Sequence, residues 1–194
     1  MLNIPTLETN RILIRRFRLE DAEAYEAINK AVGWSNSSRS EAENLVARRK
    51  WLEWVVRNYD GLANLMQPPY GDRAIELKAT GKLIGSVGLV SCFHPFDQLP
   101  TFGSTENAPF SVEMGLFWIL SPDYQQQGLA TEAAQVLIDY MFHTLRLKRI
   151  VATTEYDNVA SQGVMRKLGM RLERNPFADP PWFQVVGILE NKAT

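Results

Sequence analysis

The residues best placed to do chemistry lie in the run VEMGLFWILSPDYQQQGLAT, Val112 to Thr131. Its second half, Gln125-Gln126-Gln127-Gly128-Leu129-Ala130-Thr131, puts small residues immediately before a helical pattern. The first turn of a helix leaves backbone N–H groups without partners and carries a partial positive charge. Gly128 and Ala130 let a ligand come close to the backbone, and Thr131 adds a hydroxyl. A pyrophosphate is the natural guest of such a stretch. The plain alternative is a helix that merely begins near a glycine. Upstream, Met114 to Leu120 is an apolar, aromatic run that reads as a buried strand, broken at Ser121-Pro122-Asp123. Glu113 stands at the head of that strand.

A second constellation follows. Asn158-Val159-Ala160-Ser161 comes after the β-branched run Arg149 to Thr154 and opens a helix that ends at Lys167-Leu168-Gly169-Met170. Asn158 is by default a helix cap. Its side-chain amide can also bond the amide groups of an extended ligand, and Ser161, one turn on, can donate a proton to a leaving group.

Other chemistries are poorly supplied. The chain has one cysteine, Cys92, and two histidines, His94 and His143, too few for a tetrahedral zinc site, so no metal is expected. No disulfide can form within the chain, which fits a reducing compartment. A net charge of -1 suggests no nucleic acid partner. The first residues have no apolar core of signal-peptide length, and no run of ~18 apolar residues occurs, so a cytoplasmic, soluble protein off the membrane is expected. No G-x-S-x-G elbow or phosphate-binding G-x-x-x-x-G-K-[ST] loop is present. Gly85 and Gly88 sit in a strand with no helix after it, which excludes a dinucleotide fingerprint.

The elements that must position these groups read as follows. Leu7 to Asn10 is a polar lead-in. Arg11 to Phe17 alternates as a strand with one wet face, and Ala22 to Ala31 is helical. A loop at 33–38 leads to a helix from Glu41 to about Tyr59, ended by Asp60-Gly61. Leu62 to Tyr70 is irregular, with Pro68-Pro69 closing off any helix. Arg73 to Lys78 and Leu83 to Val90 form a hairpin. His94 to Pro109 is a long polar connection, read either as a flap beside the site or as a surface insertion. Then come the strand ending at Leu120, a helix from about Gly128 to Leu145, the strand Arg149 to Thr154, a helix to Leu168, and strands at Met170–Arg174 and Trp182–Leu189. The expectation is one mixed α/β (α+β) domain over 1–194, with about seven strands in a mostly antiparallel sheet, about four helices, and an inserted loop at 94–109.

These residues resemble the GNAT-fold acetyltransferases, in the branch similar to the ribosomal-protein N-terminal alanine/serine acetyltransferases and their small-molecule relatives. The resemblance runs from LETNRILIRRF to the last strand and is most specific from Glu113 to Met170. The family motif Q/R-x-x-G-x-G/A is met by Gln125, Gly128 and Ala130, followed by Thr131-Glu132-Ala133. The N-x-x-S and K-L-G-F elements are met by Asn158, Ser161 and Lys167-Leu168-Gly169, with Met170 for the aromatic.

The resemblance implies the GNAT fold and acetyl-CoA as donor. Pantetheine would lie along Phe117, Trp118, Ile119 and Leu120. The pyrophosphate would meet Gln125, Gln126, Gln127, Gly128, Leu129, Ala130 and Thr131. Asn158 would contact the pantetheine arm, and N–H groups near Ile119 and Leu120 would polarise the thioester. The implied reaction is direct attack on the thioester by a free primary amine, on a protein N-terminus or a small molecule. Glu113 is expected as the base and Ser161 as the proton donor to the thiolate. Trp34, Phe93, His94 and Phe96 are expected to wall the acceptor pocket, with His94 as an alternative base. Two departures stand out. Gln126 replaces the glycine or small residue of many relatives, and Met165 replaces a tyrosine that often protonates the thiolate. A non-catalytic acyl-CoA-binding module on the same fold is the alternative. Exposed aromatics such as Trp51 offer a surface for a homodimer.

Overall fold

The computed structural model describes residues 4–67 and 70–192; the expectation for Pro68-Pro69 falls outside these. The twelve principal elements are β1 (Leu7–Glu8), β2 (Ile12–Arg15), α1 (Ala22–Ala31), α2 (Glu41–Asn64), β3 (Gly71–Leu77), β4 (Lys82–His94), β5 (Ser111–Leu120), α3 (Leu129–His143), β6 (Arg149–Thr154), α4 (Val159–Lys167), β7 (Arg171–Arg174) and β8 (Val185–Glu190). The strands hydrogen-bond in the order β1-β2-β3-β4-β5-β6-β8-β7. The fold is the expected mixed α/β sheet with four helices. Its eighth strand is β1, which pairs Leu7 with Ile14 and Glu8 with Leu13. Two residues are too short to show a period, which is why the lead-in hid it. Among the described residues no helix is long and apolar enough to cross a membrane.

Contacts divide the chain into two units, Met1–Gly88 with Trp118–Leu137, and Leu89–Phe117 with Ile138–Thr194. β4 and β5 each run through both.

In the first unit, β2 and β3 pair over Ile12↔Leu77 to Arg15↔Ala74. Phe17, Tyr25, Leu52, Val55, Tyr59, Ala74, Leu83 and Ile119 form its core. Trp51 belongs here and not to an exposed dimer surface: its ring stacks on Tyr25 at 5.3 Å and meets Phe17 edge-on at 5.7 Å. α2 begins at a capping box, with Ser40 and Glu43 exchanging hydrogen bonds. It runs through Gly61 to Asn64 instead of stopping near Tyr59. A glycine inside a helix costs only about 1 kcal/mol, and buried Tyr59 and Leu62 on either side offset it.

Asp72 opens β3 beneath these helices, and Tyr59 donates to its backbone carbonyl at 2.6 Å. Burial pushes the Asp72 carboxyl up to about 6 from an ordinary 3.8. The folded protein therefore binds this proton more tightly than the unfolded chain, and folding stability falls as pH rises between those values. Asp72→Asn is expected to stabilise the protein by roughly 1–2 kcal/mol above pH 6, with the gain vanishing below about pH 4. Thermal melts of both proteins at pH 4 and pH 8 check this.

In the second unit, Phe96, Leu99, Val151, Phe183, Val186 and Ile188 form the core. β6 and β8 pair over six positions, Arg149↔Glu190 to Thr154↔Val185. β5 and β6 are parallel and meet at Gly115↔Val151. The 94–109 connection is an anchored strap. Buried Gln98 donates to the backbone carbonyls of Glu106 at 2.7 Å and Asp179 at 2.8 Å, and accepts from Asn175 at 2.8 Å. The Thr101 N–H donates to Glu173 at 3.0 Å.

Candidate active site

The turn after β5 is built by its own sequence. Pro122–Tyr124 makes one 3₁₀ turn, and the Gln125 N–H donates back to Pro122 at 3.2 Å. The Gln125 side chain donates to the Leu120 carbonyl at 3.0 Å. Gln125 thus shapes the loop, and its N–H is not free for an anion as expected from the motif. Gln126 and Gly128 both take left-handed backbone, at φ 59° and 78°. For glutamine this costs about 1–2 kcal/mol, whereas glycine adopts it freely. The N–H groups of Gln126 to Thr131 have no partner among the described residues, and the first helix-closing bond is Glu132 N–H to Gly128 at 3.0 Å. Three of these six, on Leu129, Ala130 and Thr131, are the unpaired donors of the first turn of α3, at its positive end.

Arg11 was not visible as a site residue. Its Nη1 donates to the Gln127 carbonyl at 3.1 Å, and its Nε donates to Glu132 at 2.7 Å. Its Nη2 also pairs with Glu132, whose other oxygen accepts from Thr9. A Cβ on Gly128 would stand 3.7 Å from Arg11 Nη2, so the guanidinium borders the loop. Strand alternation gives Arg11 only a wet face; no local pattern links it to a residue 121 positions away.

Burial alone would raise the Glu132 carboxyl, but hydrogen bonds from Thr9 and Arg11 outweigh it and hold it below its ordinary 4.5. A depressed carboxyl contributes stability that is present above the unfolded value and lost as pH falls through the lower, folded one. Glu132→Gln is expected to cost about 1 kcal/mol at pH 7, after allowing for the exposure of Arg11, and progressively less below pH 4.5. Urea titrations at pH 7 and pH 4 check it.

Glu113 sits near the start of β5, in a two-pronged ion pair with Arg149. Arg149 Nε donates to Oε2 at 3.1 Å, and Nη2 donates to Oε1. The two side chains are 17% and 19% exposed, respectively. Alternation along the strand puts Glu113, Gly115 and Phe117 on one face. A Cβ on Gly115 would lie 2.3 Å from Cys92 Sγ, so the thiol fills that place. Burial and the charge of Glu113 push the Cys92 thiol up to about 11. It is protonated at neutral pH and no nucleophile.

Asn158 acts as the cap of α4. Its Oδ1 accepts from the Ser161 N–H at 3.1 Å, and its Nδ2 donates to Glu155 at 3.4 Å. The Ser161 hydroxyl makes no hydrogen bond among the described residues. Met165 is 1% exposed and packs against Gly187 of β8, so it fills core and offers no proton.

The four expected pocket residues part ways. Trp34 and Phe93 are 64% and 61% exposed, respectively. His94 is half-buried, stacked on Phe183 at 5.0 Å, with Nδ1 buried and unpartnered. Burial lowers its pKa, which favours the neutral imidazole. Phe96 is 1% exposed at the centre of the second unit's core, so it is packing and not a pocket wall. A loop position had suggested a wall, but the strap folds this ring inward.

Residues 11–171 match the family described as Acetyltransferase (GNAT) domain. An uncharacterized N-acetyltransferase of Bacillus subtilis (strain 168), YnaD, is 30% identical over 171 residues, covering 86% of this chain and 83% of its own. The spermidine N(1)-acetyltransferase of Escherichia coli (strain K12) is 29% identical over 133 residues, covering 67% of this chain and 63% of its own. The crystal structure of a ribosomal-protein-S5-alanine acetyltransferase from Vibrio fischeri superposes with a TM-score of 0.66 at 18% identity, covering 97% of this chain and 98% of that one.

Proposed function

The chain belongs to the GNAT acetyltransferase family and is an N-acetyltransferase; from that premise we propose that it carries the acetyl group of acetyl-CoA to a primary amine by direct attack on the thioester. The observation that carries this reading is the exposed loop from Gln126 to Thr131, whose unpartnered N–H groups fit a pyrophosphate beside the Arg11 guanidinium. Thr131 adds its hydroxyl, and Leu129 turns inward as the loop's buried anchor. The pantetheine arm follows Leu120, Ile119, Trp118 and Phe117 back along β5.

Strand geometry limits where the thioester sits. From Glu113 to Ile119 is six residues, about 20 Å, beyond the reach of a base acting through one water. From Glu113 to Phe117 is about 13 Å, and to Gly115 about 7 Å. The reacting carbonyl therefore lies beside Gly115, the nearest position on the face of Glu113, and not at Phe117, Ile119 or Leu120. The acceptor arrives as an ammonium, with a solution pKa near 8 for an α-amino group and above 10 for an alkyl amine. Glu113 takes a proton from it, directly or through water. The neutral nitrogen bonds to the acetyl carbon, the C–S bond breaks, and the second proton that the nitrogen sheds as it becomes an amide passes through the Ser161 hydroxyl to the departing sulfur, leaving Ser161 unchanged. Asn158 holds the arm while capping α4. Protonated Cys92 argues against a covalent acyl-cysteine route.

The acceptor is proposed to be cationic. The connections 94–110, 155–158 and 175–184 carry the five acids Asp97, Glu106, Glu155, Asp157 and Asp179 and no lysine or arginine of their own, against three arginines that reach them from flanking strands, Arg149 at Phe102, Arg171 at Thr101 and Arg174 at Tyr156. They are tied together by Gln98, and by Tyr156, which donates to the Asn175 carbonyl at 2.8 Å. A polyamine or a basic protein N-terminus suits such a surface better than an anion. His94 and Phe93 remain the proposed acceptor contacts; Trp34 belongs to the other unit. A thiol-release assay with acetyl-CoA against polyamines, amino acids and N-terminal peptides tests the reading. Acceleration by a cationic amine is expected; no acceleration by any member would contradict it.

A further inference from the structure

We infer that Arg149 is a positioning residue for the base, held by Glu190 and Phe102 so that Glu113 can take up a proton without stranding a charge. The inference rests on the role of Glu113 proposed above. The fork of Arg149 occupies one lone pair on each Glu113 oxygen and fixes the plane of the carboxylate. About two lone-pair sites stay open for the acceptor's proton.

Arg149 does not depend on Glu113 alone. Its Nη1 donates to Glu190 of β8 at 3.1 Å, and its guanidinium lies 4.5 Å over the Phe102 ring of the strap. Three groups thus hold the Arg149 cation of β6: Glu113 on β5, Glu190 on β8 and Phe102 on the strap. The neutral Cys92 thiol of β4 is the other ionisable group against Glu113. When Glu113 becomes neutral during transfer, a guanidinium paired only with it would be left partly buried without a counter-ion, a costly state. Glu190 supplies that counter-ion throughout. The second carboxylate also keeps the guanidinium in place, so the orientation of Glu113 does not depend on that one ion pair.

The test is steady-state kinetics on Glu113→Gln, Arg149→Gln, Arg149→Lys, Glu190→Gln and the double variant Glu113→Gln/Arg149→Gln. CoA binding, followed by tryptophan fluorescence, reports that each is folded. Arg149→Gln is expected to lower kcat roughly 10- to 100-fold with KM for acetyl-CoA unchanged, the loss that comes from misplacing a reacting group by about 1 Å. Arg149→Lys, which keeps the charge but loses the fork, recovers part of it. Glu190→Gln, the mildest change, lowers kcat in the same direction. Adding Arg149→Gln to Glu113→Gln produces no further loss, because the arginine acts through the glutamate. An unchanged kcat in Arg149→Lys and Glu190→Gln, or multiplicative losses in the double variant, would overturn the inference while leaving amine acetylation standing. A wild-type protein silent with every amine would remove the acetyltransfer reading and this inference with it.

Discussion

Glu113→Gln is expected to lower kcat for amine acetylation by roughly 10²- to 10⁴-fold, the usual contribution of a positioned base. The affinity for CoA is expected to stay within about twofold. The split follows from position. Glu113 lies near the start of β5, while the N–H groups proposed to hold the pyrophosphate come after Leu120, at the other end of the same strand. Glutamine keeps the shape and can still accept from Arg149, so the fold is preserved while proton uptake is lost. The residual rate should rise with pH more steeply than that of the wild type, because the acceptor must then lose its proton to solvent before it binds. Loss of CoA binding alongside turnover would mean that Glu113 is a structural partner of Arg149 and nothing more.

Gly85→Ala is expected to destabilise the protein by about 3 kcal/mol or more and to lower its Tm by roughly 6–12 °C. A Cβ at Gly85 would stand 2.1 Å from the Ile119 carbonyl oxygen and 3.0 Å from the Leu120 Cα. Both are backbone, so neither can swing aside. The close approach has a purpose that the neighbouring bond reveals: the Ser121 N–H donates to the Ile84 carbonyl at 2.9 Å, holding the chain as it leaves β5 for the loop. CoA affinity is therefore expected to fall with stability. Gly187→Ala is the contrast. Its nearest neighbours are the Met170 and Met165 side chains at 2.9 and 3.1 Å, which are flexible enough to move. It is expected to cost about 1 kcal/mol, and a loss equal to that of Gly85→Ala would refute this reading of the two sites.

Much of this was legible in the chain because periodicity and punctuation are local. Arg149 to Thr154 is a strand with the expected bounds, and α1 spans Ala22–Ala31 as read. The turn proposed to hold the pyrophosphate drew notice through Gly128 and the helix that follows. What stayed hidden depends on contacts across the sequence. Gly85 looked like half of a broken fingerprint, and only the folded chain shows a carbonyl where its side chain would be. Arg149 read as the first residue of a strand, with nothing to say that it would grip Glu113, 36 positions earlier. Phe96 sat in a polar, proline-rich connection, and proximity to His94 suggested a pocket; burial of Gln98 and Leu99 beside it shows the connection folded against a core. Gln126 stood out as a departure from the motif, but its left-handed backbone needed coordinates.

The claim on which the rest depends is that the amides from Gln126 to Thr131 hold the pyrophosphate of acetyl-CoA. The most direct measurement is a titration of ¹⁵N-labelled protein with CoA, followed by amide chemical shifts, with pantetheine alone as the comparison. The result expected is a progressive, saturable shift of the Gln126 to Thr131 amides with CoA that pantetheine does not reproduce, and a smaller change at Gln125, whose N–H is already bonded to Pro122. Amides at Gln126 to Thr131 that stay in place at saturating CoA, or that move equally with pantetheine, would contradict it.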